Sequence, residues 1–501
     1  MEQYLENQKI TDGNYDQSLA VKCMNGTFVG KKAENIISYK GIPFVGQQPV
    51  GDLRWKAPVD VAPDNGVYEA YYFPKAACQD KTVLPYQGED CLYLNVWRSD
   101  EATSGKGAPV MVWIHGGAFA AGGTNLELFD CANLAKENPD VIFVTVQYRL
   151  GVLGFLHLSH LPDGKDYPDA QNLGLLDQKM ALKWVHENIA AFGGDPDNVT
   201  IWGESAGAGS VTMQPLIKGS QQYFQKVIAQ SGAPCQSSSQ EEAIAATNDL
   251  IAALGCTTVA DMMKFSADEL VATAAEVVAL RLFPVRDGRI LPLDPWKEYE
   301  NGVAKDIVFL QGCNKDEMNC FVADWQVENF KAWVADRKTK KFAHLLTEEE
   351  KAKVESYCKE GAVEDWEPDS RLFSHSWFID GSIKLAESQT IGGGKSYTYY
   401  YRVESSDPIR KSAHFEEVPI VFAHPEFVDG RPYDPTFSKA MRQMWVQFAR
   451  TGCPSPEWPL YDLKDKRVMV LDEFDIHPAK ESEVKIVDWE RTYFLTKYYM
   501  L

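Results

Sequence analysis

The sequence has no stretch approaching 18 consecutive apolar residues, no C-x-x-C pair and no surplus of positive charge. The first absence excludes a membrane-spanning helix, since "VIFVTV" at 141–146 is of strand length. The second, with no Cys/His metal spacing, leaves no motif for a metal, and no cofactor is called for. The third is decisive for partners. Lys and Arg number 50 against 71 Asp and Glu, a formal net charge of −21. Such a surface repels phosphates and anionic lipid, so nucleic acid is excluded as a partner. The N-terminal "MEQYLENQKITDGN" is acidic and polar, without the basic and apolar regions of a signal peptide. A cytoplasmic protein with ten reduced, mostly buried cysteines is therefore expected.

Repeats, low-complexity tracts and Pro/Ser-rich linkers are also missing. What is present is core material: 45% of 501 residues are hydrophobic and 12% aromatic. One domain over 1–501 is expected. Strand-like runs alternate with helical ones. "APVMVWIHGG" (108–117), "VIFVTVQYR" (141–149), "QKVIAQSG" (225–232), "KDIVFLQG" (305–312), "KSYTYYYRVE" (395–404) and "KRVMVLDEF" (466–474) read as strands. The stretch 177–194 places Met180, Ala181, Trp184, Val185 and Ile189 at helical spacing, with Gly193-Gly194 as a stop. A second helix over 438–452 carries Met441, Met444, Trp445 and Phe448 on one face. Buried strands separated by helices predict an α/β fold, a mostly parallel sheet covered on both faces, with an antiparallel edge from the N-terminal "VKCMNGTFVG" and "ISYKGIPFVG". The segment 320–390, helical and rich in Phe321, Trp325, Phe330, Trp333, Trp377 and Phe378, reads as an insertion forming a lid or pocket wall, with ordinary helix core as the alternative.

One stretch carries chemistry. In "TIWGESAGAGSV" (200–211), Ser205 sits between Gly203 and Gly207 where a strand gives way to small residues. A sharp strand-to-helix turn brings backbones together, and glycine two places on either side removes the clashing Cβ atoms. This is the nucleophile-elbow pattern G-x-S-x-G. It arises by chance roughly 0.1 to 0.2 times in such a chain, so its partners must decide.

A serine hydroxyl needs a base, and the base needs an acid to hold its tautomer. Where the nucleophile sits on such an elbow, these follow it in the order acid, then base, on loops after later strands. Among nine histidines, His414 follows the 395–404 strand, and His424 lies ten residues on. After the 305–312 strand, "GCNKDEMN" offers both Asp316 and Glu317, and either carboxylate can accept an imidazole N–H. "WIHGGAFAAGG" (113–123) supplies a glycine-rich turn with backbone N–H groups for an oxyanion. His115, just before Gly116-Gly117, reads as a brace for that loop.

Taken jointly and in order, "YKGIPFVGQQPVGDLRWKAP", "GEDCLYLNVW", "VMVWIHGGAFAAGG", "VQYRLGVLGFL", the 172–211 stretch through "GESAGAGSV", "GCNKDE" and "HFEEVPIVF" resemble the type B carboxylesterases, which include the cholinesterases. The resemblance covers nearly the whole chain and implies an α/β-hydrolase fold and hydrolysis of small-molecule carboxylic esters without a cofactor. It implies Ser205 as nucleophile, Glu317 as acid and His414 as base, with Gly117, Ala118 and Ala206 as oxyanion donors. Alternatives are a non-catalytic interaction domain, which typically loses a triad member, and amidase or thioesterase chemistry on the same site. This sequence also departs from the family pattern. Met318 and Phe415 stand where glycine or another small residue is usual, which predicts a narrowed gorge and short-to-medium acyl groups. Lys81 stands where cholinesterases carry a choline-binding tryptophan, so a quaternary-ammonium site is not expected. Secreted relatives link the equivalents of Cys91 and Cys78; without a secretory signal, free thiols are expected here.

Overall fold

The β-branched and aromatic runs form strands close to the bounds set by sequence. The computed structural model describes residues 4–103, 107–337, 347–424 and 434–484. The chain divides into two compact units, residues 1–226 with 236–294, and residues 227–235 with 295–501.

The first unit carries β1 (Lys9–Ile10), β2 (Ala20–Cys23), β3 (Asn25–Val29), β4 (Lys31–Ala33), β5 (Ile36–Pro43), β6 (Asp64–Glu69), β7 (Tyr93–Ser99), β8 (Ala108–Ile114), β9 (Ile142–Val146) and β10 (Gly194–Glu204). Four form a small sheet in the order β1-β6-β3-β2, and the rest run β10-β8-β9-β7-β5-β4. β8 pairs in parallel with β9 and β10, whereas β7, β5 and β4 continue antiparallel. The antiparallel edge expected from "ISYKGIPFVG" is present as β5, whereas "VKCMNGTFVG", expected at the same edge, forms β2 and β3 of the separate small sheet, where β3 pairs in parallel with β6. Every residue of β9 is buried, as a strand covered on both faces requires. Helix α1 (Leu173–Asn188) buries Ala181, Trp184 and Val185. A short 3-10 turn buries Ile189, and Gly193 then stops it at φ 92°, a conformation that favours glycine. β10 follows at once and leads into α2 (Ala206–Met213).

The second unit takes up β11 (Lys226–Gln230) from Val227 onward, then β12 (Val308–Asn314), β13 (Lys395–Tyr401), β14 (Arg467–Leu471) and β15 (Ile476–Lys480), in the order β15-β14-β13-β12-β11. β12, β13 and β14 are parallel; β15 is antiparallel to β14. Sequence reading missed β15. Four residues separate it from β14, too few for a parallel crossover, so the chain turns back on itself. Between β12 and β13 come helices Asn319–Trp325, Val327–Arg337 and Glu348–Lys359, then α3 (Glu367–Ser374) and α4 (Asp380–Ile391). A π-helical turn, His375–Ile379, joins the last two. Phe330 and Phe378 are buried in one cluster there, with Phe321, Trp325, Trp333 and Trp377 packed against it. All ten cysteines are free thiols, nine buried and Cys453 partly exposed. Among the described residues, no helix is long and apolar enough to cross a membrane.

Candidate active site

Ser205 is the single residue between β10 and α2, and its backbone sits at φ 56°, ψ −123°. That is strained for a residue with a Cβ. Its flanking glycines have a measurable reason. A Cβ on Gly203 would lie 2.6 Å from both the Ile114 oxygen and the Gly207 carbonyl carbon, and one on Gly207 would lie 2.1 Å from the Ile114 oxygen. Ala206 is the first residue of α2, so its N–H has no acceptor within the helix.

The loop after β8 packs on this elbow. A Cβ on Gly116 would meet the Glu204 carbonyl oxygen at 2.7 Å and the Ser205 Cβ at 3.1 Å. Gly117, Ala118 and Phe119 all have positive φ, at 103°, 54° and 58°. The Gly117 carbonyl accepts N–H bonds from Ala120 and Ala121, each 2.9 Å, which curls the loop and leaves the Gly117 and Ala118 N–H groups out of the turn's own bonding. His115 braces the loop. It is fully buried, stacks on Tyr148 with ring centres 4.5 Å apart, and places Nδ1 2.8 Å from the Gly116 oxygen. Burial pushes its imidazole down to about 4, so it stays neutral.

In the second unit Glu317 is fully buried, and its Oε2 lies 2.6 Å from His414 Nδ1. Its other oxygen accepts the Asn314 backbone N–H at 2.7 Å, and the His414 N–H donates to the Glu317 carbonyl at 3.1 Å. Asn314 also donates its side-chain amide to the Ala413 carbonyl and to Glu417 Oε2, both at 2.7 Å. Gln230 donates to the other oxygen of Glu417, and the Trp445 indole donates to Gln230. The imidazole faces Phe378 at 4.2 Å and Phe321 at 6.2 Å between ring centres. Asn314, Glu417 and Gln230 had no assigned part in the sequence reading, because no spacing rule links residues on three separate segments; Phe378 was read as part of a lid or pocket wall, without a link to His414.

Asp316 takes a different direction. Its N–H donates to the Ser412 carbonyl at 2.9 Å and its Oδ2 accepts the Ser412 N–H at 3.4 Å. Burial raises its carboxyl above the usual range. Two departures from the family pattern resolve differently. Met318 is fully buried in the helical cluster, its N–H held by Ser374 Oγ at 2.9 Å. The expectation that it narrows a gorge is therefore corrected: apolar packing draws it inward. Phe415 is half-buried and holds φ 77°, where glycine would be unstrained. Lys81 is exposed and ion-paired with Asp268.

The structure thus gathers Ser205, Ala206 and the Gly117–Ala118 loop in the first unit, and Glu317 with His414 in the second. No group of three or more His, Cys, Asp or Glu among the described residues is placed to hold a metal.

Comparison with known proteins agrees with this chemistry. The model of the Carboxylesterase family matches residues 17–485. Para-nitrobenzyl esterase of Bacillus subtilis (strain 168) is 34% identical over 490 residues, covering 91% of this chain and 96% of that protein. Carboxylesterase 1D of Mus musculus is 30% identical, covering 89% and 88%. The crystal structure of a Geobacillus stearothermophilus carboxylesterase superposes with a TM-score of 0.83 at 33% identity, covering 93% of this chain and 99% of that one. The chain belongs to the carboxylesterase family, with its α/β-hydrolase fold and its hydrolysis of carboxylic esters.

Proposed function

We propose that ester hydrolysis proceeds through an acyl-enzyme on Ser205, with His414 as general base and acid and Glu317 holding the imidazole. The observation that carries this reading is the 2.6 Å contact between Glu317 Oε2 and His414 Nδ1. It fixes the proton of the neutral ring on Nδ1 and leaves Nε2 as the basic nitrogen. Ser205 Oγ attacks the ester carbonyl as its proton passes to His414. The N–H groups of Gly117, Ala118 and Ala206 stabilise the oxyanion. The tetrahedral adduct collapses, the C–O bond to the alcohol breaks, and His414 returns the proton to the leaving alkoxide. Water then attacks the acyl-enzyme by the same route, releasing the acid and free Ser205.

The half-buried Phe415 and the aromatic helices within 320–390, read as a pocket wall, support short-to-medium acyl groups on small-molecule esters. We place the protein in the cytoplasm, a reducing compartment that would keep its ten free cysteines as thiols. A fluorophosphonate probe should label Ser205 covalently, and Ser205→Ala should abolish both labelling and turnover. No adduct at Ser205 would favour a non-catalytic interaction domain instead. p-Nitrophenyl esters of graded chain length, with p-nitrobenzyl acetate and matched amide and thioester substrates alongside, test the substrate class. Turnover of emulsified long-chain triglyceride at the rate of a butyrate ester would refute the size preference.

A further inference from the structure

The π-turn between α3 and α4 is closed twice by the same two residues. The Asp380 N–H donates to the His375 carbonyl, the five-residue reach of a π-helix. The side chains meet as well, with His375 Nδ1 3.1 Å from Asp380 Oδ1. In an α-helix, residues five apart lie about 140° apart around the axis, so this side-chain contact belongs to the π-turn. The pair is deeply buried, with side chains 5% and 0% exposed. Asp380 Oδ2 has no hydrogen-bond partner, so His375 is what satisfies this carboxyl. The Asp380 carboxylate can only accept, which places the proton on Nδ1 and leaves Nε2, 2.9 Å from the Tyr357 hydroxyl, to accept from it.

Both ends of the turn reach the Glu317–His414 pair. At its start, Ser374 Oγ accepts the N–H of Met318, the residue after Glu317. Within it, Phe378 presents its ring to the His414 imidazole at 4.2 Å, tilted by 33°. At its end Ile379, and past it Ile383, pack with Cys313 and Tyr400.

We infer that His375 and Asp380 act as a clasp that holds the π-turn, and through it Phe378, against the imidazole of His414, making them positioning residues for the general base. This rests on the role proposed above for His414. Neither residue touches the reacting atoms. The clasp acts on the rate of proton transfer through ring orientation, and substrate binding is left nearly unchanged.

The test measures kcat and KM for p-nitrophenyl butyrate, normalised to active sites titrated with a fluorophosphonate. Asp380→Ala should lower kcat per titrated site about tenfold or more, with KM within twofold. Asp380→Asn retains an oxygen to accept from His375 and should recover most of that loss. A merely structural role would reduce the number of titratable sites and leave kcat per site unchanged. Should Asp380→Ala yield no folded protein, Phe378→Leu tests the same link downstream and should show the same fall in kcat. Where both fold, the double variant should be no worse than Phe378→Leu alone, since they act through one contact. Wild-type kcat per site in Asp380→Ala or in Phe378→Leu overturns the clasp. His414→Ala separates this from the parent reading: if it stays active, the role of His414 falls; if it is inactive while the Asp380 variants are normal, only the clasp falls.

Discussion

Asp316 and Ser412 exchange two hydrogen bonds, the N–H of Asp316 to the Ser412 carbonyl and the Ser412 N–H back to the Asp316 carboxylate. This ties the turn after β12 to the loop that carries His414, and it turns Asp316 away from the imidazole that Glu317 meets. Glu317→Gln should keep the fold and lower turnover by orders of magnitude, on the scale of about 10⁴ known for the acid of a serine-protease triad. Asp316→Asn should lower the melting temperature and leave Ser205 reactive. Turnover and melting curves for the two variants decide the assignment; loss of turnover in Asp316→Asn alone would reverse it.

Ser205 holds left-handed backbone angles that are costly for any residue with a Cβ, on the order of 1–3 kcal/mol. Glycine relieves that strain, offset by its own unfolded-state entropy of roughly 0.5–1 kcal/mol. Ser205→Gly should therefore be inactive and melt at or above the wild-type temperature. Ser205→Ala keeps the Cβ and should gain less. A clear drop in the melting temperature of Ser205→Gly would contradict the strain.

The cysteines differ sharply in access. Burial pushes the Cys23 and Cys78 thiols up to about 12, and those of Cys91, Cys131 and Cys313 rise well above the usual range for the same reason. Cys453 alone is partly exposed. Alkylation of native protein should modify Cys453 first, and ten alkylated thiols should appear after denaturation without reductant. A missing pair at Cys78 and Cys91 would show a disulfide instead.

Glu481 is 2% exposed, and burial, reinforced by the nearby Glu387, pushes its carboxyl up to about 7. Because the folded-state value lies above the unfolded one, the native state holds this proton more tightly. Its contribution is complete below about pH 4 and is lost as pH rises through about 7. Glu481→Gln should therefore match wild type near pH 4 and exceed it at pH 8 by up to about 3 kcal/mol. Chemical denaturation at the two pH values checks this; equal stability at pH 8 would count against a buried, proton-holding Glu481.

The elbow and its glycines were legible because the constraint is local: a strand, a turn and a helix within twelve residues. So were β8, β9 and β10, whose apolar runs match their burial. The pattern also favoured Glu317 over Asp316, yet the backbone exchange with Ser412 that turns Asp316 aside depends on a loop about a hundred residues away. Asn314 and Glu417 were invisible for the same reason, and Phe378, read as part of a lid or pocket wall, gave no sign of its contact with His414. Met318 was misread because a bulky residue at a glycine position looks alike in sequence whether it faces a channel or a core. β15 was missed because "IHPAK" has a proline at its centre and little strand character.

The strands that close the two β-sheet segments have a consequence for self-association. β4 is "KKA", three residues long, all exposed, with two lysines. β15 carries Pro478, which has no N–H to offer, and ends in Lys480. Each is a poor template for another chain's strand, by shortness and charge in one case and a missing donor in the other. These two borders resist fibril-like growth during expression and storage.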